Sequence, residues 1–331
     1  MKRAILYIIG IALCLQSCHR ESHPNNPDAG AYTISMAPTS VQGASRALIN
    51  GIDDLQNLGF VVYGHSTAGD NKQQVFEGDN VTYDTAEKAW GYADEDTELR
   101  YWNAAADYSF GAYAPQMVGV TETETDDIIT SLSIPLPQWQ QVNGSETDLI
   151  VATSQGAATD YLMAGGTVNL AFNHVYARLI VKLVKDMPTM NTYTLTSLHY
   201  GKENSLVPQS IKTTYTFDYT NGNSSWVETG TRAAYEAYSG NGEVTITEQT
   251  FADHLIIPHE INGGLPIQVS YKIGNNPHSS WVETGQTTFE AGKVYTYTLR
   301  FEGGNVLTIS PVKIQEWDDV EDVNDNPVYN W

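Results

Sequence analysis

The chain has 331 residues, with 17 Lys and Arg against 39 Asp and Glu, a formal charge of -22. So acidic a surface repels nucleic acid and anionic membrane surfaces, and neither is an expected partner. The only cysteines are Cys14 and Cys18; both fall in the leader described next, which excludes thiol catalysis, disulfides and Cys-bound metals from the mature chain.

The leader reads MKRAILYIIGIALCLQSC. Lys2 and Arg3 precede an apolar run from Ala4 to Leu15, too short to span a bilayer and of the length of a secretory core. Residues 1–17 are expected to be a signal peptide, and Leu15-Gln16-Ser17-Cys18 resembles a lipobox. Cys18 would then become the acylated N-terminus, anchored by its lipid without a spanning helix. A plain signal peptide that happens to contain Cys18 is the alternative. HRESHPNNPDAG, polar and rich in Pro and Asn, follows as a flexible tether.

AYTISMAP alternates, with Tyr32, Ile34 and Met36 on one face and Thr33, Ser35 and Ala37 on the other. This predicts a short half-buried strand that Pro38 ends. VQGASRALINGI then carries Arg46, the only basic residue between Arg20 and Lys72. It is either an ordinary exposed side chain or a cleavage site.

Strand signals follow at short intervals: LGFVVYGH (58–65), RYWNAAADYSFGAYAP (100–115), DIITSLSIPL (127–136), DLIVATS (148–154) and VNLAFNHVYARLIVKLV (168–184). NTYTLTSLHY, TTYTFDYT, GEVTITEQTF, DHLIIPHE, LPIQVSYKIG, KVYTYTLRF and NVLTISPVKI come after, each bounded by Gly, Asn or Pro. Many short, β-branched and aromatic runs with turn punctuation predict an all-β sandwich or barrel. Helical periodicity is weak, confined to a turn or two at GIDDLQNL and TDYLM. The heptamer SSWVETG occurs at 224–230 and again at 279–285. It marks two similar hairpins, or a duplicated loop presenting Trp226 and Trp281.

No catalytic residues emerge. HExxH, GxSxG and a phosphate-cradling Gly-rich loop are all absent from the sequence. His254 and His259, five apart, would point to opposite faces of a strand, a poor metal pair. His174 is expected to be packed rather than ligating. The tail's Asp318, Asp319, Glu321, Asp322 and Asp325 lack the Gly and terminal Glu of an EF-hand loop and are expected to be a solvated edge. No cofactor and no metal are expected.

Several segments together resemble the fimbrillin family, the type V pilins of Gram-negative gut and oral anaerobes. They are the lipobox Cys18, SRA before LGFVVYG, RYW…YSFGAYAP, DLIVATS, VNLAFNHVYARLIVKL, and late AGKVYTYTL…ISPVKIQEW. The resemblance implies an all-β protein of two transthyretin-like, Greek-key β-sandwich domains in tandem. It divides the chain into a signal peptide (1–17), a lipidated tether with a removable N-terminal strand (18–46), and domains at 47–162 and 163–331. The long strand from Val168 would open the second domain. It implies an outer-membrane lipoprotein cut by an arginine-specific protease between Arg46 and Ala47, losing the strand of Tyr32, Ile34 and Met36. The neighbour's C-terminal strand would replace it, here drawn from Val306 or Leu307, Ile309, Val312 and Ile314, with Pro311 forcing an edge position or a break. Partners would be other pilin subunits, the outer membrane through the lipid, and a host or bacterial surface ligand. The runner-up is an anchored surface lipoprotein that captures glycans on Trp226 and Trp281; paired exposed rings would favour it.

Overall fold

A computed structural model describes residues 32–41, 49, 51–92, 99–136, 140–141, 147–186, 191–202, 212–229, 232–302 and 306–317. Cys18, Arg46, Ala47 and the acidic tail lie outside the described residues. The order opens with β1 (Ser35–Val41), α1 (Ile52–Leu58), β2 (Phe60–Ala68), β3 (Asn71–Asp84), β4 (Ala89–Tyr92), β5 (Asp107–Ala114), β6 (Thr121–Thr125), β7 (Ile128–Leu136) and β8 (Gln140–Gln141). It continues with β9 (Ile150–Ala157), α2 (Ala158–Met163), β10 (Thr167–His174), β11 (Ala177–Lys185), β12 (Tyr193–Tyr200), β13 (Lys212–Asp218), β14 (Asn223–Thr229) and β15 (Tyr235–Val244). Last come β16 (Gln249–Ile256), β17 (His259–Glu260), β18 (Pro266–Ile273), β19 (Asn276–Glu283), β20 (Thr288–Phe289), β21 (Lys293–Glu302), β22 (Val306–Ile309) and β23 (Lys313–Glu316). The protein is all-β, with two short helices at the places where the sequence shows a turn or two.

A seven-stranded sheet runs β1-β10-β9-β5-β2-β3-β4. It curls, so that β1 returns alongside β4. Phe60, Val62, Phe76, Phe110, Val168, Leu170 and Phe172 fill its inside, together with Ile34, Met36, Leu55 and Trp102. The period-2 logic is plain in β10, where Val168, Leu170, Phe172 and His174 are buried and Asn169, Ala171 and Asn173 are exposed. The central strand β2 is buried on both faces, because its odd residues Val61 and Tyr63 serve a second core.

That second core begins where the sheet β14-β13-β7-β6 covers the outer face of the seven strands. Leu132, Ile134, Phe217 and Tyr219 are its contribution. Gly111 is required here: a Cβ would stand 2.4 Å from Tyr219. The core runs on between the sheet β22-β21-β11-β16-β8, with β23 also on β21, and the sheet β15-β12-β18-β19.

Sheet membership does not follow a cut between residues 162 and 163. Strand β10 belongs with β9, and β13 and β14 belong with β7. The run VNLAFNHVYARLIVKLV, expected as one long strand opening the second domain, is two strands. A bend at Val175–Tyr176 sends β10 into one sheet and β11 into another. Both bend residues are buried, so neither Gly nor Pro marks the break.

Candidate functional site

The first element of the site is β1. It lies at the edge of the seven-stranded sheet, paired in parallel with β10 alone: Ser35 opposite Thr167, Met36 opposite Val168, Ala37 opposite Asn169. Ile34 and Met36 are 2% and 3% exposed, and burying each contributes about 1.5–3 kcal/mol. Ser35 Oγ lies 2.8 Å from Thr167 Oγ1, and Thr39 Oγ1 donates to the Leu170 carbonyl at 3.3 Å.

Two details differ from expectation. Tyr32 does not join Ile34 and Met36: it is 56% exposed, although its carbonyl accepts from the Trp102 backbone N–H at 3.2 Å. Nor does Pro38 end the strand. The register shifts between Pro38 and Ser40, so Thr39 bulges and pairing resumes to Val41. An irregular edge strand tolerates a residue without an N–H.

Arg46 follows β1 by five residues. The four arginines among the described residues are all ion-paired. Arg100 meets Asp79 at 3.3 Å, Arg178 meets Asp253 at 2.5 Å, Arg232 meets Glu228 at 3.0 Å, and Arg300 meets Asp186 and Glu248 at 3.0 Å. The Arg178 pair is bidentate, with a second bond from Nε at 2.8 Å. Arg232, followed like Arg46 by an alanine, is therefore held by the Glu228 carboxylate.

The second element is the C-terminal edge. Strands β22 and β23 both run antiparallel to β21, with Leu307 opposite Phe301 and Ile314 opposite Tyr295. Ser310–Val312 interrupt them, as a proline without an N–H requires. Leu307, Ile309 and Val312 pack partly against the core, whereas Ile314 is 47% exposed. The side chain of Val306 lies outside the described residues.

A joint that the sequence did not reveal holds this edge in place. Trp317, 1% exposed, stacks on His174 with ring centres 4.2 Å apart and planes 5° apart. His174 Nδ1 is 2.8 Å from Asp148 Oδ2, both side chains being buried. The Trp317 backbone N–H donates to the Gly292 carbonyl, and the Gly292 N–H donates to the Tyr176 carbonyl at the bend between β10 and β11. Three motifs that are separate in sequence, DLIVA, FNH and IQEW, thus converge. The available signal was that each buries one odd polar or aromatic residue at a strand end.

His254 and His259 are buried within the fold. His254 sits between Tyr200 and Tyr235, edge-on to both, and burial pushes its imidazole down to about 3. His259 stacks on Phe289 with Nδ1 2.7 Å from the Ile257 carbonyl. Burial pushes it to about 4, against the opposing effect of that carbonyl. Among the described residues, no group of three or more His, Cys, Asp or Glu is placed to hold a metal ion.

Trp226 and Trp281 do not form a pair. Trp226, on β14, packs against Tyr176 and Tyr215 at 5.3 and 5.1 Å. Trp281, on β19 in another sheet, is 46% exposed under the Lys202 ammonium.

The fimbrillin-like family model matches residues 45–317, and the chain belongs to that family. Among solved structures, it is similar to a fimbrial protein from Bacteroides vulgatus, with 15% identity and a TM-score of 0.52 over 86% of this chain and 99% of that one. It is also similar to a proposed cell adhesion protein from Bacteroides ovatus, with 14% identity and a TM-score of 0.53 over 89% and 100%. Another proposed cell adhesion protein, from Bacteroides uniformis, gives 16% identity and a TM-score of 0.51 over 88% and 100%. These likenesses show the fold. None of the curated proteins matches the chain.

Proposed function

We propose that the protein is a fimbrial subunit, of type V pilus kind, or a fimbrillin-like surface lipoprotein serving adhesion, with a structural rather than catalytic role. The chain is exported, acylated on Cys18 and anchored in the outer membrane. Cleavage between Arg46 and Ala47 frees residues 18–46, and with them Ile34 and Met36. The emptied seat exposes apolar side chains and the unpaired backbone edge of β10. A C-terminal strand of another subunit, drawn from residues 306–314, fills it.

The observation that carries this proposal is the placement of β1. It is buried enough to be missed, yet beyond the Thr33–Tyr101 bridge at its start its ladder runs to one neighbour at a sheet edge, and it lies just ahead of Arg46. The ion-pairing of Arg100, Arg178, Arg232 and Arg300 supports a selective cut, since an engaged guanidinium is poorly available to a protease pocket. Packing of Trp226 in the core leaves the glycan-capture alternative with one exposed tryptophan.

The test is the N-terminus of the protein from outer-membrane and shed fractions, by terminal sequencing and intact mass. A start at Ala47 in the shed fraction is expected. A start at acylated Cys18 in every fraction, unchanged by an arginine-specific protease, makes the protein a permanently anchored lipoprotein instead.

A further inference from the structure

The seat of β1 has a distinctive stencil. Its inward side chains are Ile34, Met36 and Pro38, all buried, and then, after the bulge at Thr39, Val41. The spacing is i, i+2, i+4, i+7. The seventh-residue step is not that of a regular strand, whose inward positions stay two apart. It exists because the register shift after Pro38 resets which face the chain presents.

The same stencil occurs once more. Of the 13 prolines in the chain, only Pro38 and Pro311 have apolar residues four and two positions before and three positions after them. Leu307, Ile309, Pro311 and Ile314 therefore superpose on Ile34, Met36, Pro38 and Val41. The outward positions also agree in part: Thr308 on Ser35 and Ser310 on Ala37 keep a small side chain on that face. Thr308 retains the hydroxyl that β1 sets against Thr167.

Leu307–Ile314 uses this pattern poorly where it now lies. Against β21, Leu307 and Ile309 are half-buried, Pro311 is exposed, and Ile314 is 47% exposed. Pairing breaks at Ser310–Val312. In the seat of β1, all four apolar side chains would face a buried lining of Val168, Leu170 and Phe172. The proline would meet the one place where the ladder already skips a residue.

Granting the strand exchange proposed above, on which it rests, we infer that Leu307–Ile314 of a second copy of this chain takes the seat of β1, parallel to β10, with Pro311 in the place of Pro38. The register follows: Thr308 opposite Thr167, Ser310 opposite Asn169 and Ile314 opposite Phe172. A slip of one residue would turn the apolar face outward. A slip of two would put Pro311 where the regular ladder needs an N–H.

Thiol cross-linking tests the register. Full-length chains carrying Cys14→Ser and Cys18→Ser have no other thiol. Acceptors carry Asn169→Cys; donors carry Thr308→Cys, Ser310→Cys or Val312→Cys, and Thr167→Cys acceptors serve as a second frame. All five positions lie outside the stencil, and Asn169 is exposed. Acceptor and donor are mixed, cut with an arginine-specific protease and oxidised. The expected result is that Ser310→Cys joins Asn169→Cys and Thr308→Cys joins Thr167→Cys, with the shifted pairs much weaker. Polymer in which Thr308→Cys or Val312→Cys joins Asn169→Cys instead overturns the register but leaves strand exchange standing. Polymer with no cross-link at any pair overturns Leu307–Ile314 as the donor. A cut protein that stays monomeric overturns the exchange itself.

Discussion

The two ends of the described chain are both edge strands, and they are secured in different ways. Strand β1 is secured along its length: Ile34, Met36 and Pro38 go inward, the ladder runs to β10, and its start is bonded to Arg100 and Trp102. The C-terminal edge is secured by two short ladders on β21, by the partly buried Leu307, Ile309 and Val312, and by Trp317. Trp317 is sunk on His174, while Pro311 and Ile314 ahead of it lie open. An edge pinned along its length leaves only if the chain is cut or the core is breached. An edge broken at Pro311 and only partly buried has less apolar surface to give up. That asymmetry suits β1 to be the plug and the C-terminal edge to be the mobile partner.

Breaking the plug should have the largest effect. Ile34→Ala with Met36→Ala should destabilise the uncut protein by about 4–8 kcal/mol, from about 2–5 for each truncation with imperfect additivity. Urea unfolding would read this, and a loss under 1 kcal/mol would show that β1 is not part of the core. Breaking the C-terminal pin comes next. Trp317→Ala should cost about 3–5 kcal/mol, and hydrogen exchange should rise in β23 and the β10–β11 bend before it rises in β1.

Acid sharpens the contrast. His254 and His259 are buried, with folded values lowered to about 3 and about 4. Below the ordinary value near 6.5, the unfolded chain takes up protons that the folded chain refuses. Stability is therefore flat above about pH 6.5 and falls on acidification, by about 1.4 kcal/mol per pH unit for each histidine, down to its folded value. His254→Leu should remove about half of that slope in urea titrations between pH 6 and pH 5. The smallest effect belongs to Ile314→Ala. In the monomer it should stay within about 0.5 kcal/mol, as for other surface positions, while sharply reducing assembly after cleavage.

Much of the fold was legible because most strands alternate against a single core. AYTISMAP showed Ile34 and Met36 inward, and DLIVATS showed a strand buried on both faces. What escaped was information that only a neighbour supplies. The two SSWVETG copies make the point. In β14, Trp226 turns toward the core and Val227 is 48% exposed; in β19, Val282 is 7% exposed and Trp281 turns outward. Seven identical residues present opposite faces, because each strand's register is set by the hairpin partner, Tyr215 for one and Gln268 for the other. The bend at Val175–Tyr176 escaped for a related reason. A residue buried between two sheets carries no turn signature. The joint of Asp148, His174 and Trp317 spans positions that no periodicity links.

The most direct test of the plug-and-donor account is assembly of the purified full-length protein and its Arg46→Ala variant, each treated with an arginine-specific protease. The account predicts a ladder of stable multimers from the first, each subunit beginning at Ala47, and monomer alone from the second. Multimers from Arg46→Ala that are as abundant as from the unaltered chain would contradict it, because β1 would then still be covalently in place.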